Sequence, residues 1–128
     1  MRIFKNTWFS RFARKEKIND EELREIVKQL ESGQAEANLG GGVFKVRLAR
    51  PGEGKSGGYR VIVFFKSEFR TVFAYGFAKS DRGNIDKGEL QIFKDRAKDV
   101  FSLSDGQIEN RIRRGTLVEV PKEAGDEI

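Results

Sequence analysis

Four basic residues, Lys45, Arg47, Arg60 and Lys79, are the ones whose types and spacing bear most directly on chemistry. Lys45 and Arg47 are two positions apart, so on a strand they project from the same face. Arg60 and Lys79 belong to two further β-like runs that can be laid beside the first, which lets side chains distant in sequence converge on one patch. Lysine meets a phosphate as a compact charge, arginine as a planar two-pronged donor. All four lie in the stretch Val43 to Lys79, VFKVRLARPGEGKSGGYRVIVFFKSEFRTVFAYGFAK, where eight basic side chains stand against two acidic ones, a net charge of +6. The whole chain of 128 residues carries only +5. Positive charge is therefore concentrated in one sheet-forming stretch, the footprint of a polyanion-binding face. Spacing alone suits a surface that merely binds as well as one that reacts.

The residue types that are missing narrow the chemistry. There is no cysteine and no histidine, which removes disulfides, thiolate metal sites, ordinary zinc sites, paired-histidine ribonuclease chemistry and the Ser/His and Cys/His nucleophile pairs. Any catalysis must run on Lys, Arg, Tyr, Ser/Thr or carboxylates. No apolar run approaches the roughly 20 residues of a membrane span, and Met1 to Phe9 lacks a secretory hydrophobic centre. A cytoplasmic protein with no membrane partner is expected.

The elements that must position the basic residues follow from periodicity. The length suits a single domain, expected over 1–120, with 121–128 as a frayed tail. Arg2 to Lys5 is a short strand, and Asn6 or Thr7 caps a helix with Trp8, Phe9, Phe12 and Ala13 on one face. Its other face, Arg11, Arg14, Lys15 and Lys17, reads best as solvated charge. Asn19 or Asp20 starts a second helix, with Leu23, Ile26, Val27 and Leu30 at helical spacing and Gly33 as its stop. Gln34 to Asn38 is a connector ending in three consecutive glycines. Strands follow at Val43 to Ala49, Tyr59 to Lys66 and Thr71 to Phe77, the second central and covered on both faces, and Ser67 to Arg70 turns the hairpin. In the first of these, Lys45 and Arg47 share a face while Phe44, Val46 and Leu48 pack inward. Ser80 to Ile85 is a polar loop. Helices at about Asp86 to Phe101 and Gln107 to Arg114, closed by Gly115, precede an edge strand at Thr116 to Val120. The class is α+β, two N-terminal helices packed on a small antiparallel sheet, with C-terminal helices.

Gly52 to Ser56, GEGKS, invites a phosphate-loop reading, but the earlier glycine that pattern requires is Ala49, and a strand rather than a helix follows. A nucleoside triphosphate site is rejected. The glycines suit a hairpin connection, from which an exposed Lys55 can reach a phosphate. The carboxylates form no convincing metal site or acid/base pair, so neither metal nor cofactor is expected.

FKVRLAR, a glycine-rich gap, GYR, an apolar strand and YGFAK, together with the GGG and GKSGGYR strings, resemble the RelE/ParE superfamily of toxins from type II toxin–antitoxin systems, in particular its HigB-like RelE branch. The resemblance covers Met1 to about Phe101. It implies a RelE-like fold, a cognate antitoxin, and an endoribonuclease that cuts messenger RNA on the ribosome. Carried over by position, the basic residues of the second RelE strand are Lys45 and Arg47, and the arginine of GYR is Arg60. The loop arginine is replaced by Lys79, which keeps the charge and loses the planar fork. The tyrosine expected six residues later is Ile85, leaving Tyr59 and Tyr75 as candidates to compensate, with Arg50 and Lys55 as further RNA contacts; both tyrosines also read simply as strand aromatics. The reaction implied is transesterification by the RNA's own 2′-hydroxyl. Lys45, crowded by Arg47 and Arg60, is the first choice of general base, Arg47 and Arg60 stabilise the phosphorane, and Lys79 is phosphate ligand or leaving-group acid. Arg60 is expected to serve charge rather than packing, and Lys66 and Arg70 to be peripheral. A ParE-like, non-catalytic inhibitor of DNA gyrase and a plain nucleic-acid-binding module remain the alternatives.

Overall fold

The computed structural model describes residues 1–50 and 58–123. The expected Lys55 contact, the GEGKS turn and the end of the tail at 124–128 lie outside the described residues. The elements in chain order are β1 (Arg2–Asn6), α1 (Thr7–Glu16), α2 (Asp20–Glu31), β2 (Ala37–Gly40), β3 (Val43–Leu48), β4 (Tyr59–Lys66), β5 (Arg70–Ala78), α3 (Lys87–Ser102), α4 (Asp105–Arg114) and β6 (Leu117–Val120). The class is α+β, as expected. The sheet is six-stranded and mixed rather than antiparallel throughout: its order is β2-β3-β4-β5-β1-β6, and β1 pairs with β5 in parallel. Parallel pairing is possible because α1 and α2, followed by three strands, carry the chain far from β1 before β5 returns beside it.

Each helix starts where a side chain caps orphan backbone donors. Asn6 accepts from the Phe9 amide at the head of α1, and Asn19, Asp86 and Ser104 each form a reciprocal capping box with Glu22, Glu89 and Gln107. The helices cover both faces of the sheet. On one face Phe9 and Ala13 of α1 and Leu23, Ile26, Val27 and Leu30 of α2 pack on Val46, Leu48, Val61, Val63 and Phe73. On the other, Phe93, Ala97 and Val100 of α3 and Ile108 of α4 pack on Phe4, Val43, Ile62, Phe64 and Val72. Seven of the eight residues of β4 are buried, as its nearly continuous apolar run requires for a strand sandwiched between layers.

One correction concerns the edge of the sheet. The connector expected at Gln34 to Asn38 instead runs into a strand, β2, antiparallel to β3, with Ala37 opposite Lys45. Gly40, Gly41 and Gly42, with φ of 90°, 63° and 83°, make the tight reversal between the two strands, a run that only glycine tolerates well. Beyond β6, Arg24 donates to the Pro121 carbonyl at 2.8 Å, and Lys28 pairs with Glu123 at 3.3 Å. At the far end of β3 and β4, a Cβ on Gly58 would lie 2.3 Å from the Leu48 carbonyl oxygen, so only glycine lets the two strands close there.

Candidate nucleic-acid interface

The register of β3 on β4 sets Arg47 directly opposite Arg60 and Lys45 opposite Ile62. Like charges facing each other across a strand pair repel. Glu36, at the entry to β2, resolves this. Its Oε1 accepts from Arg47 Nε at 2.9 Å and from Arg60 Nε at 3.1 Å, and its Oε2 lies 3.8 Å from Lys45 Nζ. Three of the four expected basic residues therefore converge on one carboxylate. Burial pushes the Glu36 carboxyl up, but the hydrogen bond from Arg47 and the charges of Arg60, Lys45 and Arg47 outweigh it and hold the group below the usual carboxylate range. Glu36 is thus ionised at neutral pH and leaves the cluster cationic overall, three charges against one.

Exposure differs within the cluster. The Arg60 side chain is 4% exposed and that of Arg47 48%, with Lys45 and Glu36 in between. Arg60 accordingly serves packing and charge together, against the expectation of charge alone: its guanidinium also donates to the Tyr59 carbonyl at 3.4 Å. At the sheet edge the cluster adjoins an open hollow of about 520 Å³ lined by Gln29, Gln34, Ala35, Glu36, Val46 and Arg47. An anion can approach from there.

The loop between β5 and α3 closes the other side. Lys79, exposed just beyond β5, donates to the Gly83 carbonyl at 3.1 Å. By strand alternation it follows Tyr75 and Phe77 on the face that carries Lys45 and Arg60. Asn84 accepts from Lys45 Nζ at 3.3 Å and from the Ile85 amide at 2.9 Å, tying the loop to β3. Arg82 lies over the Phe77 ring at 5.4 Å, donates to Asn84 O and Tyr75 OH, and makes a two-pronged pair with Glu89. Ile85, standing where a tyrosine is expected, is part-buried and packs against the core cluster that Phe93, Ala97 and Val100 of α3 help form.

The remaining candidates separate. Tyr59 lies on the opposite face of the sheet, its hydroxyl donating to Glu16 at 2.8 Å beneath α1, so it does not reach the cluster. Arg50 lies over that same ring at 5.5 Å. Tyr75 is on the cluster's face, part-buried, with its ring centre 4.3 Å from that of Trp8. Arg70 is not peripheral. Only 5% exposed, it donates to the Val100 carbonyl at 2.7 Å and the Leu103 carbonyl at 3.0 Å, capping the end of α3.

Sequence reasoning missed Glu36, Arg82 and Asn84. A lone acid in the short segment between the helix stop and the triple glycine was the one available signal for Glu36; Arg82 and Asn84 were hidden in an ordinary polar loop. Among the described residues no group of three or more His, Cys, Asp and Glu side chains is placed to hold a metal ion, and no helix is long and apolar enough to cross a membrane.

Residues 1–120 match the family described as RelE toxin of RelE / RelB toxin-antitoxin system. No curated protein matches the sequence.

Proposed function

The chain belongs to the RelE toxin family of toxin–antitoxin systems, and from that premise we propose that it is the RNA-cleaving toxin of such a pair, acting on messenger RNA at the ribosome and neutralised by a cognate antitoxin. The observation that carries this reading is the convergence of Lys45, Arg47 and Arg60 on a single anion, the Glu36 carboxylate. Three cations already arranged around one anionic group are preorganised to receive the anionic group of a phosphodiester. RNA phosphate competes with Glu36 for these donors.

In the reaction, the 2′-oxygen attacks the adjacent phosphorus, a 2′,3′-cyclic phosphate forms, and the bond from phosphorus to the 5′-oxygen breaks. The 2′-hydroxyl proton passes to Lys45, once that amine has itself given up a proton, and Lys79 supplies a proton to the departing 5′-oxygen. Arg47 and Arg60 carry the added charge of the phosphorane. Glu36 is a positioning residue: it holds two arginines side by side that would otherwise repel. Asn84 gives Lys45 a neutral partner that fixes its amine above the strand.

Mapping transcript ends in cells after brief induction tests the proposal. Cuts phased to codons, suppressed by co-expression of the adjacent small gene, are the expected result. Intact messages with arrested replication would instead fit a gyrase inhibitor.

A further inference from the structure

Beside the basic cluster lies a partly exposed aromatic surface that the proposed reaction does not use. Trp8, 44% exposed at the start of α1, stacks on Phe12 at 5.3 Å and meets Tyr75 at 4.3 Å in a tilted contact, and Tyr75 in turn meets Phe93 of α3 at 5.5 Å. With Ile92, 51% exposed, Trp8, Tyr75 and Phe93 line a mostly apolar cleft of about 200 Å³ that also has Glu89 and Arg96 in its lining. Among the described residues the Trp8 indole N–H makes no hydrogen bond, and Arg96 is exposed without an ion pair. An exposed tryptophan and an exposed isoleucine side by side around one cleft make an apolar patch of the kind that marks a binding surface.

The sheet register connects this cleft to the cluster. Lys45 is opposite Ile62, and Ile62 is opposite Tyr75, so Tyr75 stands two strands from Lys45 in the same row, about 10 Å away at ordinary strand spacing. Arg82, bonded to the Tyr75 hydroxyl and lying over Phe77, stands between them as an ion pair with Glu89, which also lines the cleft. An aromatic platform beside a cationic track is how single-stranded nucleic acid is held, with bases on the rings and phosphates on the cations.

We propose that the Trp8–Tyr75–Ile92 cleft is a nucleobase subsite, which stacks a base of the single-stranded RNA near the phosphate held by Lys45, Arg47 and Arg60. The proposal deepens the ribonuclease reading and rests on it. Continuity with the cationic row favours RNA over a protein segment as the occupant.

Trp8 is the sole tryptophan of the chain, so its emission reports on the subsite directly. The experiment titrates the full chain with short 2′-O-methyl oligoribonucleotides, which cannot be cleaved, either intact or abasic at each position in turn. The intact strand should quench Trp8 saturably, and one abasic position should abolish the quench and weaken binding by about 5- to 150-fold. Trp8→Ala, followed by anisotropy of a labelled strand, should weaken the intact oligonucleotide by a similar factor and leave that abasic one unchanged. Trp8→Phe should restore affinity. Because Trp8 also packs on Phe12, Ile92→Arg is the second variant, filling the cleft from α3 and removing the quench. Quenching by every abasic strand alike, wild-type affinity in Trp8→Ala, no saturable quench at all, or a quench produced only by an antitoxin segment would overturn the subsite. Cleavage of message without Trp8 quenching would sink the subsite alone; quenching without cleavage of unmodified message would sink the ribonuclease reading alone.

Discussion

Replacing Glu36 by glutamine removes one negative charge from the point where three cations meet and leaves the side chain's shape. In the resting protein the carboxylate is 2.9 Å from Arg47 Nε, 3.1 Å from Arg60 Nε and 3.8 Å from Lys45 Nζ. A phosphate taken up by the same donors would lie at about 5 Å from that carboxylate. Two unit charges at this distance repel by about 1 kcal/mol in water and about 3 kcal/mol at the effective dielectric of a protein surface. Arg47 is half-exposed and Arg60 buried, so the site falls between those limits. Glu36→Gln should therefore bind uncleavable single-stranded RNA about 5- to 150-fold more tightly at low salt. It should also steepen the dependence of log affinity on log salt by about 0.7. Arg47→Gln is the mirror image: a half-exposed cation is lost, binding weakens, and the slope becomes shallower by about 0.7. Fluorescence anisotropy at two salt concentrations measures both variants, with thermal melts to confirm folding, since the glutamine leaves the buried Arg60 without its counter-ion. Equal or weaker binding by Glu36→Gln would show that Glu36 does not occupy the anion site. Tighter binding with cleavage down by about 10²- to 10⁴-fold would transfer the proton-accepting role from Lys45 to Glu36.

Lys45→Arg keeps the charge and removes the group that can accept a proton, so RNA affinity should persist while single-turnover cleavage falls by about 10²- to 10⁴-fold. Lys79→Arg should retain or raise activity, and Lys79→Ala should lower both affinity and rate in the same assays. Arg70→Ala leaves two helix-terminal carbonyls without their buried donor and should destabilise the fold by about 2–5 kcal/mol in urea or thermal unfolding. Lys66→Ala, on the exposed end of the same hairpin, should change stability by about 0.5 kcal/mol or less. Glu36 and Glu119 have carboxyl groups held below the usual range by arginine partners. Their stabilisation is complete above the unfolded carboxylate value of about 4.3 and is lost as pH falls through the lower folded values. An acid titration followed by circular dichroism should show that loss, and Glu36→Gln should show less of it.

Local pattern made much of the fold readable. The caps at Asn6, Asn19, Asp86 and Ser104 stand next to the apolar periodicity they start, and alternation alone put Lys45 and Arg47 on one face. The parallel pairing of β1 with β5 was not readable, because strand pattern records which face is buried and not which neighbour pairs. The edge strand β2, Ala37–Gly40, contains no β-branched or aromatic residue, and it is held by the glycine reversal into β3. Its concealment hid Glu36 with it. Arg70 was misjudged for a related reason: a charge beside a hairpin turn reads as solvated, and its burial follows from α3 and α4 crossing that end of the sheet. Arg47 and Arg60, thirteen positions apart, meet through the β3–β4 register, which the glycine-rich connection allows but does not specify.

The most direct test of the central claim is the chemistry of the ends left on message cut by the purified protein on programmed ribosomes. Attack by the 2′-hydroxyl on a phosphate held by Lys45, Arg47 and Arg60 leaves a 2′,3′-cyclic phosphate upstream and a free 5′-hydroxyl downstream, and a single 2′-deoxy substitution before the cut abolishes it. Those ends, and loss of cleavage with the deoxy substrate, are the expected outcome. A 5′-phosphate on the downstream fragment, or undiminished cutting of the deoxy substrate, would contradict it.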